Sequence, residues 1–450
     1  MYSSIFKNII YPLSQTIRGR GYLPVLRTLR ESQWWTPEQL REVQWLRLKR
    51  LLDHVYENVT FYRERFNDAG IHPDNIKSFD DLAKIPVLTK KDIKQNMQKL
   101  LANNYPTSKL IPGRTGGSTG EPMHFYYDIG SLNYNRPAIF RNLEWAGLEQ
   151  GDKHVVMSGS HFDYTQAQKT IYKLRDKILR CKKMTSTSLD NKKLYKYARE
   201  LRNWKPKVLW GYASAIYLFA EFLRKEKITD IKLNSVITSS ETLFPAWRES
   251  IEAAFHTKVF DLYGGRELFI AGECKRHEGY HICDECLYVE VVRGGVKAPE
   301  GEMGKLLITD LNNYGFPLIR YEIGDIGTKS LRSCSCGRGL SMLSKVEGRV
   351  SDIIVTVDGK FITPPSITVP LGDIEGVKQY QLVQKKKEEV ELNLVTNEKY
   401  TDEATTYIAN ALQDILGTKT KLKINFTDKI DVSESGKRRV IISEISALEL

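Results

Sequence analysis

No stretch of this chain is apolar for long enough to cross a bilayer, which excludes a membrane-spanning helix. Cysteine is scarce: six residues among 450, unevenly placed, do not make a disulfide scaffold and suit the reducing cytoplasm. Low-complexity tracts and short-period repeats are absent, so a repeat architecture is not expected. A nucleic-acid module is missing too; the basic residues are spread along the chain and mixed with acids. The formal net charge of +12 is better matched to anionic small substrates, such as nucleotides or phosphorylated carriers. What remains is a globular protein with room for two or more domains.

The N-terminus is interrupted by Lys7, Arg18, Arg20 and Arg27 and does not read as a secretory signal. Its stripe of Ile5, Ile9, Ile10, Leu13 and Ile17 is that of a segment packed on the protein body, and is compatible with weak membrane-surface contact. From residue 33 to 101 the spacing is helical, carried by Trp34, Trp35, Leu40, Val43, Leu46, Leu51, Leu52 and Val55. Thr89 is a helix cap with Asp92 in the first turn.

Strands and helices then alternate. Strands are expected at His154–Ser158, Val208–Gly211, Ser235–Thr238 and Lys258–Leu262, with helices at Ala213–Lys225 and Pro245–Phe255. That order predicts an α/β fold with mostly parallel sheets flanked by helices, whose ligands bind where loops leave the strand ends. Beyond Ile282 strands and turns take over, including Leu287–Val292, Gly304–Thr309 and Leu318–Tyr321. The domains predicted are a large body at 1–347 and a small α+β lid at 348–450, the latter with strands near 377–383, 390–395 and 422–426 and a helix at 402–416.

The segment most loaded with chemistry is Arg114-Thr115-Gly116-Gly117-Ser118-Thr119-Gly120-Glu121-Pro122. Interleaved glycines leave backbone amides free to curl around phosphate oxygens, and small hydroxyls add donors without bulk. Further polar turns follow at strand ends: Thr238-Ser239-Ser240-Glu241-Thr242-Leu243, then Asp261-Leu262-Tyr263-Gly264-Gly265-Arg266-Glu267. Pro317 to Asp325 and Ser435-Gly436-Lys437-Arg438-Arg439 complete the series of five, while Val346 to Asp352 introduces the final segment. Each is weak alone; their order and domain-scale spacing make them informative.

In that order the chain resembles the adenylate-forming superfamily, and within it the phenylacetate–CoA ligase-like branch that includes capsule-biosynthesis homologues. The resemblance covers essentially the whole chain. It implies ATP- and magnesium-dependent adenylation of a small-molecule carboxylate, then transfer of the acyl group to coenzyme A. It implies that Thr115, Gly116, Gly117, Ser118, Thr119 and Gly120 hold phosphates, and that Ser240, Glu241 and Gly264 line the nucleotide. It implies too that Tyr263 lies against adenine, that Glu267 binds magnesium and takes part in catalysis, and that Asp325 accepts from both ribose hydroxyls. On the same resemblance Arg349 would make a ribose or phosphate contact near the hinge at Asp352, and Lys437 would neutralise charge on the α-phosphate during adenylation. Two positions depart from the family. Glu121 stands where many relatives have lysine, with Arg114 the nearby cation, and Arg266 replaces serine or threonine before the glutamate and can itself grip phosphate.

Cysteines and one histidine cluster between residues 274 and 336. Spacing alone favours Cys283-x-x-Cys286 with Cys334-x-Cys336; the family resemblance implies instead Cys274, His281, Cys334 and Cys336 as ligands of a structural zinc. Cys181 reads as an ordinary residue. Two other outcomes remain open at this level. One is transfer to an amine or hydroxyl acceptor in surface polysaccharide biosynthesis; the other is nucleotide binding without catalysis. An acyl pocket is expected near Trp210 to Ala213 and Ser158 to Tyr164, aromatic enough for an aryl or a fatty acid. The sequence is silent on oligomeric state.

Overall fold

The structure is a computed structural model that describes residues 6, 21–115, 123–158, 173–186, 189, 191–349, 354–357, 361, 362, 367, 371, 374–431 and 439–445. The N-terminal stripe, Gly116, Gly117, Ser118, Thr119, Gly120, Glu121, Asp352, Lys437 and all of the Ser158–Tyr164 segment beyond Ser158 lie outside these residues. Among the described residues no helix is long and apolar enough to cross a membrane.

The helical N-terminal stretch resolves into separate pieces: α1 (Tyr22–Ser32), α2 (Pro37–Asn58), α3 (Thr60–Asp68) and the short α4 (Lys90–Gln95). Thr36 starts α2 with a capping box, its hydroxyl accepting from Gln39 N at 3.3 Å while Gln39 Oε1 accepts from Thr36 N at 3.0 Å. Leu40, Leu48, Leu51, Leu52 and Val55 turn inward, whereas Trp34 and Leu46 face outward. Thr89 caps α4 in the same way, with Asp92 as its partner. Pro73 and Pro86 fall between the pieces, where a missing N–H and a fixed φ rule out one continuous helix.

A twelve-stranded sheet forms the frame, in the spatial order β11-β10-β12-β13-β14-β9-β8-β7-β6-β5-β3-β4. Its one wing is parallel: β4 (Cys181–Thr185), β3 (His154–Ser158), β5 (Val208–Tyr212), β6 (Ser235–Ser239) and β7 (Val259–Gly264). Helices α6 (Asn191–Trp204), α7 (Ala213–Lys225) and α8 (Pro245–Phe255) join these strands, as the alternating sequence required. From β7 onward every pairing is antiparallel, through β8 (Phe269–Glu273), β9 (Tyr280–Ile282), β14 (Met342–Arg349), β13 (Tyr321–Lys329), β12 (Met303–Asp310), β10 (Leu287–Arg293) and β11 (Val296–Lys297). The parallel character therefore belongs to one wing. Strand β4 was not foreseen, and the strand expected at Leu318–Tyr321 begins only at Tyr321. Arg320 breaks the extended run with a φ of 50°.

A hairpin, β1 (Ile111–Arg114) with β2 (His124–Tyr127), precedes the sheet, and α5 (Ile129–Trp145) follows it. Near the C-terminus, β15 (Ile354–Val355) pairs with β16 (Phe361–Ile362). A second sheet orders β19 (Lys421–Phe426), β18 (Glu389–Thr396), β17 (Val377–Lys386) and β20 (Ile441–Ser443). Helix α9 (Asp402–Leu416) packs on it through Ile408, Leu412 and Leu416, which meet Leu382, Val390, Leu392 and Leu394 in a core separate from that of the large sheet. Gly417 ends α9 at a φ of 81°, a conformation that costs glycine little.

Candidate active site and a cysteine–histidine cluster

The glycine-rich segment falls between β1 and β2 in the chain, and the described residues on either side of it, Thr115 and Met123, are joined by two bonds. Thr115 N donates to Met123 O, and Met123 N donates to Thr115 Oγ1, both at 2.9 Å. The Tyr321 hydroxyl lies 3.9 Å from Met123 Sδ and 3.2 Å from Glu267 Oε1, so the neck of the loop and the acid of the tyrosine–glycine motif meet at one phenol. Glu267 is only 6% exposed. A Cβ at Gly265 would lie 2.7 Å from Glu267 Oε2, so any side chain there would push the carboxylate tip aside. The Tyr127 hydroxyl donates to the Arg266 carbonyl. Burial, with Glu267 and Asp310 adding to it, pushes the Tyr127 phenol up, so it keeps its proton.

Tyr263 at the end of β7 and Asp325 on β13 are 62 residues apart, yet the phenol donates to Asp325 Oδ2 at 2.9 Å. Asp325 stands opposite Arg349 in the β13–β14 register; the Arg349 side chain lies outside the described atoms. Arg266 is exposed on the loop between β7 and β8, beside Glu267. Gly264 is bare for a packing reason, since a Cβ there would sit 2.7 Å from Leu268 O.

The turn after β6 enters the same neighbourhood. Ser240 adopts a φ of 70°, and Glu241 accepts from Ser214 N at 2.8 Å, at the start of α7. Trp210 Nε1 donates to Ser239 Oγ at 3.0 Å, which ties the expected acyl-pocket strand to this turn. Below it Thr238 Oγ1 and the Tyr280 hydroxyl donate to the two oxygens of Asp261, at 2.5 and 2.8 Å. Burial, reinforced by Glu273, pushes the Asp261 carboxyl up to about 7. Arg320, in the quoted proline-to-aspartate motif, points away from these groups. It is buried against Glu290 at 3.0 Å and donates to the carbonyls of Ala83 and Ile85, a staple between loop and sheet.

The second cluster lies one strand over. The ligand atoms of Cys274, His281, Cys334 and Cys336 all fall within 4.8 Å of one another. Cys274 Sγ is 3.6 Å from Cys334 Sγ, and Cys336 Sγ is 3.4 Å from His281 Nε2. Three thiols and one imidazole at these separations are a donor set that a tetrahedral ion of zinc type fits. Burial, with Arg338 and Arg141 nearby, pushes the imidazole down to about 4, leaving it neutral with a lone pair to offer. Glu278 accepts from Ser335 N at 2.8 Å and fixes the turn between the last two thiols. The pair favoured by spacing is elsewhere: Arg141 and Asn142 each donate to Cys283 Sγ at 3.6 Å, and Cys286 faces Tyr134 O. Arg141 in turn forms a fully buried ion pair with Glu285 at 2.6 Å, which no sequence signal announced.

Residues 354–444 match the model of the CapK C-terminal domain. A phenylacetate–coenzyme A ligase of Thermus thermophilus is 25% identical over 94% of this chain and 99% of its own length. Protein CapK of Staphylococcus aureus is 24% identical over 98% of the chain and 97% of its own length. Among solved structures, a 2-hydroxyisobutyryl-CoA ligase in the postadenylation state superposes with a TM-score of 0.74 at 21% identity, covering 92% of each chain. The chain is thus a homologue of the phenylacetate–CoA ligases and of CapK, with a CapK-type C-terminal domain and the fold of the adenylate-forming CoA ligases.

Proposed function

We propose that the protein adenylates a carboxylic acid with ATP and passes the acyl group to coenzyme A. The observation that carries this reading is the meeting of Tyr263 with Asp325 beside buried Glu267 at the seam of the sheet. Tyr263 offers a flat face to adenine while its hydroxyl holds Asp325, so the carboxylate is aimed before the ribose arrives. Asp325 then accepts from the ribose hydroxyls. Glu267, held by Tyr321, is the carboxylate for magnesium, which supplies neutralisation of phosphate charge when bound. The hairpin neck at Thr115 and Met123 anchors the amides of the glycine loop for the β- and γ-phosphates. Arg266 and Arg349 add cations to the phosphates and ribose.

A carboxylate oxygen of the acid attacks the α-phosphorus, and pyrophosphate leaves. Lys437 neutralises the charge that builds on both groups during that displacement. The thiol of coenzyme A then loses its proton, its sulfur attacks the acyl carbon, and AMP departs. The turn at Ser240 and Glu241 holds adenine, and the segment after β14 forms the hinge of the C-terminal domain. Cys274, His281, Cys334 and Cys336 hold a structural zinc, since four protein ligands leave no open position for chemistry.

Carboxylate-dependent pyrophosphate release, with and without coenzyme A, tests the reading; an enzyme silent toward aryl, fatty and amino acids would overturn it. The CapK similarity along almost the whole chain favours a second acceptor, an amine or hydroxyl of a surface-polysaccharide precursor. Release of pyrophosphate that coenzyme A does not accelerate, but an amino sugar does, would select that acceptor.

A further inference from the structure

Between the first turns of α2 and the far ends of β13 and β14 lies a cavity of about 240 Å³. It is smaller than the roughly 300–1,000 Å³ of ordinary organic-ligand pockets. That volume suits a small ion or the head group of something larger.

Lys329, the last residue of β13, lines it. Burial pushes the pKa of this lysine down, and Asp284 only partly opposes the shift. Among the described residues the Lys329 ammonium makes no hydrogen bond and no close ion pair, though Asp284 and Glu300 attract it from further off. Arg41 and Arg332 line the same space, the first with its guanidinium 4.5 Å above the Phe79 ring. Asp284 is the one carboxylate among the described lining residues, and its oxygens are already engaged. It accepts from Ser341 N and Oγ at 2.6 Å each and from Gln44 Nε2 at 3.2 Å. Three cations, half-buried Lys329 and the exposed Arg41 and Arg332, thus line a cavity whose one described lining carboxylate is engaged by donors, with Glu300 acting on Lys329 from outside the lining. A partly withdrawn ammonium with no close acceptor gains from an anion that joins it.

We propose that this cavity binds a phosphate-type anion, with half-buried Lys329 as the point charge and the exposed Arg41 and Arg332 closing around it from the rim. The site is distinct from the nucleotide seam, although Lys329 and Asp325 share β13. An occupant would brace the strand that carries the candidate ribose carboxylate.

The test compares melting temperature in inorganic phosphate, pyrophosphate and glucose 1-phosphate with that in chloride at equal ionic strength. Wild type gains stability in at least one phosphate, and Lys329→Met abolishes the gain while Asp325→Ala retains it. Arg332→Gln, at an exposed position, weakens the apparent affinity about tenfold, the loss expected for one charged hydrogen bond. A preference for the sugar phosphate assigns the site to the head group of a phosphorylated metabolite, and equal response to phosphate assigns it to the free ion. No gain in wild type at tens of millimolar, or a full gain kept by Lys329→Met, overturns the proposal.

Discussion

Tyr263, Glu267 and Asp325 gather where the parallel wing of the sheet meets the antiparallel one, and their polar atoms are joined to hydroxyls that a ligand can replace or share. Cys274, His281, Cys334 and Cys336 gather only a strand or two away, on β9 and the turns beside it, with soft donors facing one another. Both groups unite residues distant in sequence. They differ in what they ask of the fold. The seam needs open space with aimed hydrogen-bond partners, whereas the cluster closes on itself and fastens the β8–β9 turn to the loop before β14. The first should therefore act on reaction rate and the second on folding.

Four substitutions would sharpen or break that division. The largest effect is expected for Lys437→Ala, which should lower pyrophosphate release by at least a hundredfold, on the order of 3 kcal/mol in the barrier. Its melting temperature should stay within a degree or two of wild type. Cys334→Ser should do the opposite: metal analysis should find about one zinc per chain in wild type and none in the variant. The variant should melt on the order of 10 °C lower. A zinc-free wild type of full stability would remove the cluster from consideration. Asp325→Ala should raise KM for ATP by about ten- to a hundredfold, the worth of charge-assisted bonds, without moving the melting temperature. Tyr263→Phe keeps the ring and loses the hydroxyl that donates to Asp325, so a change of several-fold in the same constant is expected. If Tyr263→Phe instead destabilised the protein as much as Cys334→Ser, the seam would be a structural joint.

Much of this was legible in the chain because it is local. Helices at Ala213–Lys225, Pro245–Phe255 and Asp402–Leu416 fall where the sequence put them, the second opened by Pro245, and the β3 strand at His154–Ser158 does too. Tyr263, Glu267 and Asp325 stand in recognisable motifs, and the structure unites them. The choice of cysteines was different. Spacing pointed to Cys283 and Cys286, and the fold sends that pair toward Arg141, Asn142 and Tyr134. Which face of a tight turn a thiol takes depends on strands paired across 50 residues or more, as His281 and Cys336 illustrate. The same holds for Tyr321 against Glu267, for Tyr127 against the Arg266 carbonyl, and for the buried Arg141–Glu285 pair. None of these partners is a sequence neighbour, so no period or motif could name them.

Asp325 and Arg349 face each other across the last register of β14, so the chain leaves the large sheet directly opposite the candidate ribose carboxylate. Mechanically this sets a fulcrum at the cargo. On the proposal that the C-terminal domain is a mobile lid, a swing about that point would sweep its far strands through long arcs while the ribose end barely shifted. The acyl adenylate would then stay in register while one set of side chains was withdrawn from it and another presented.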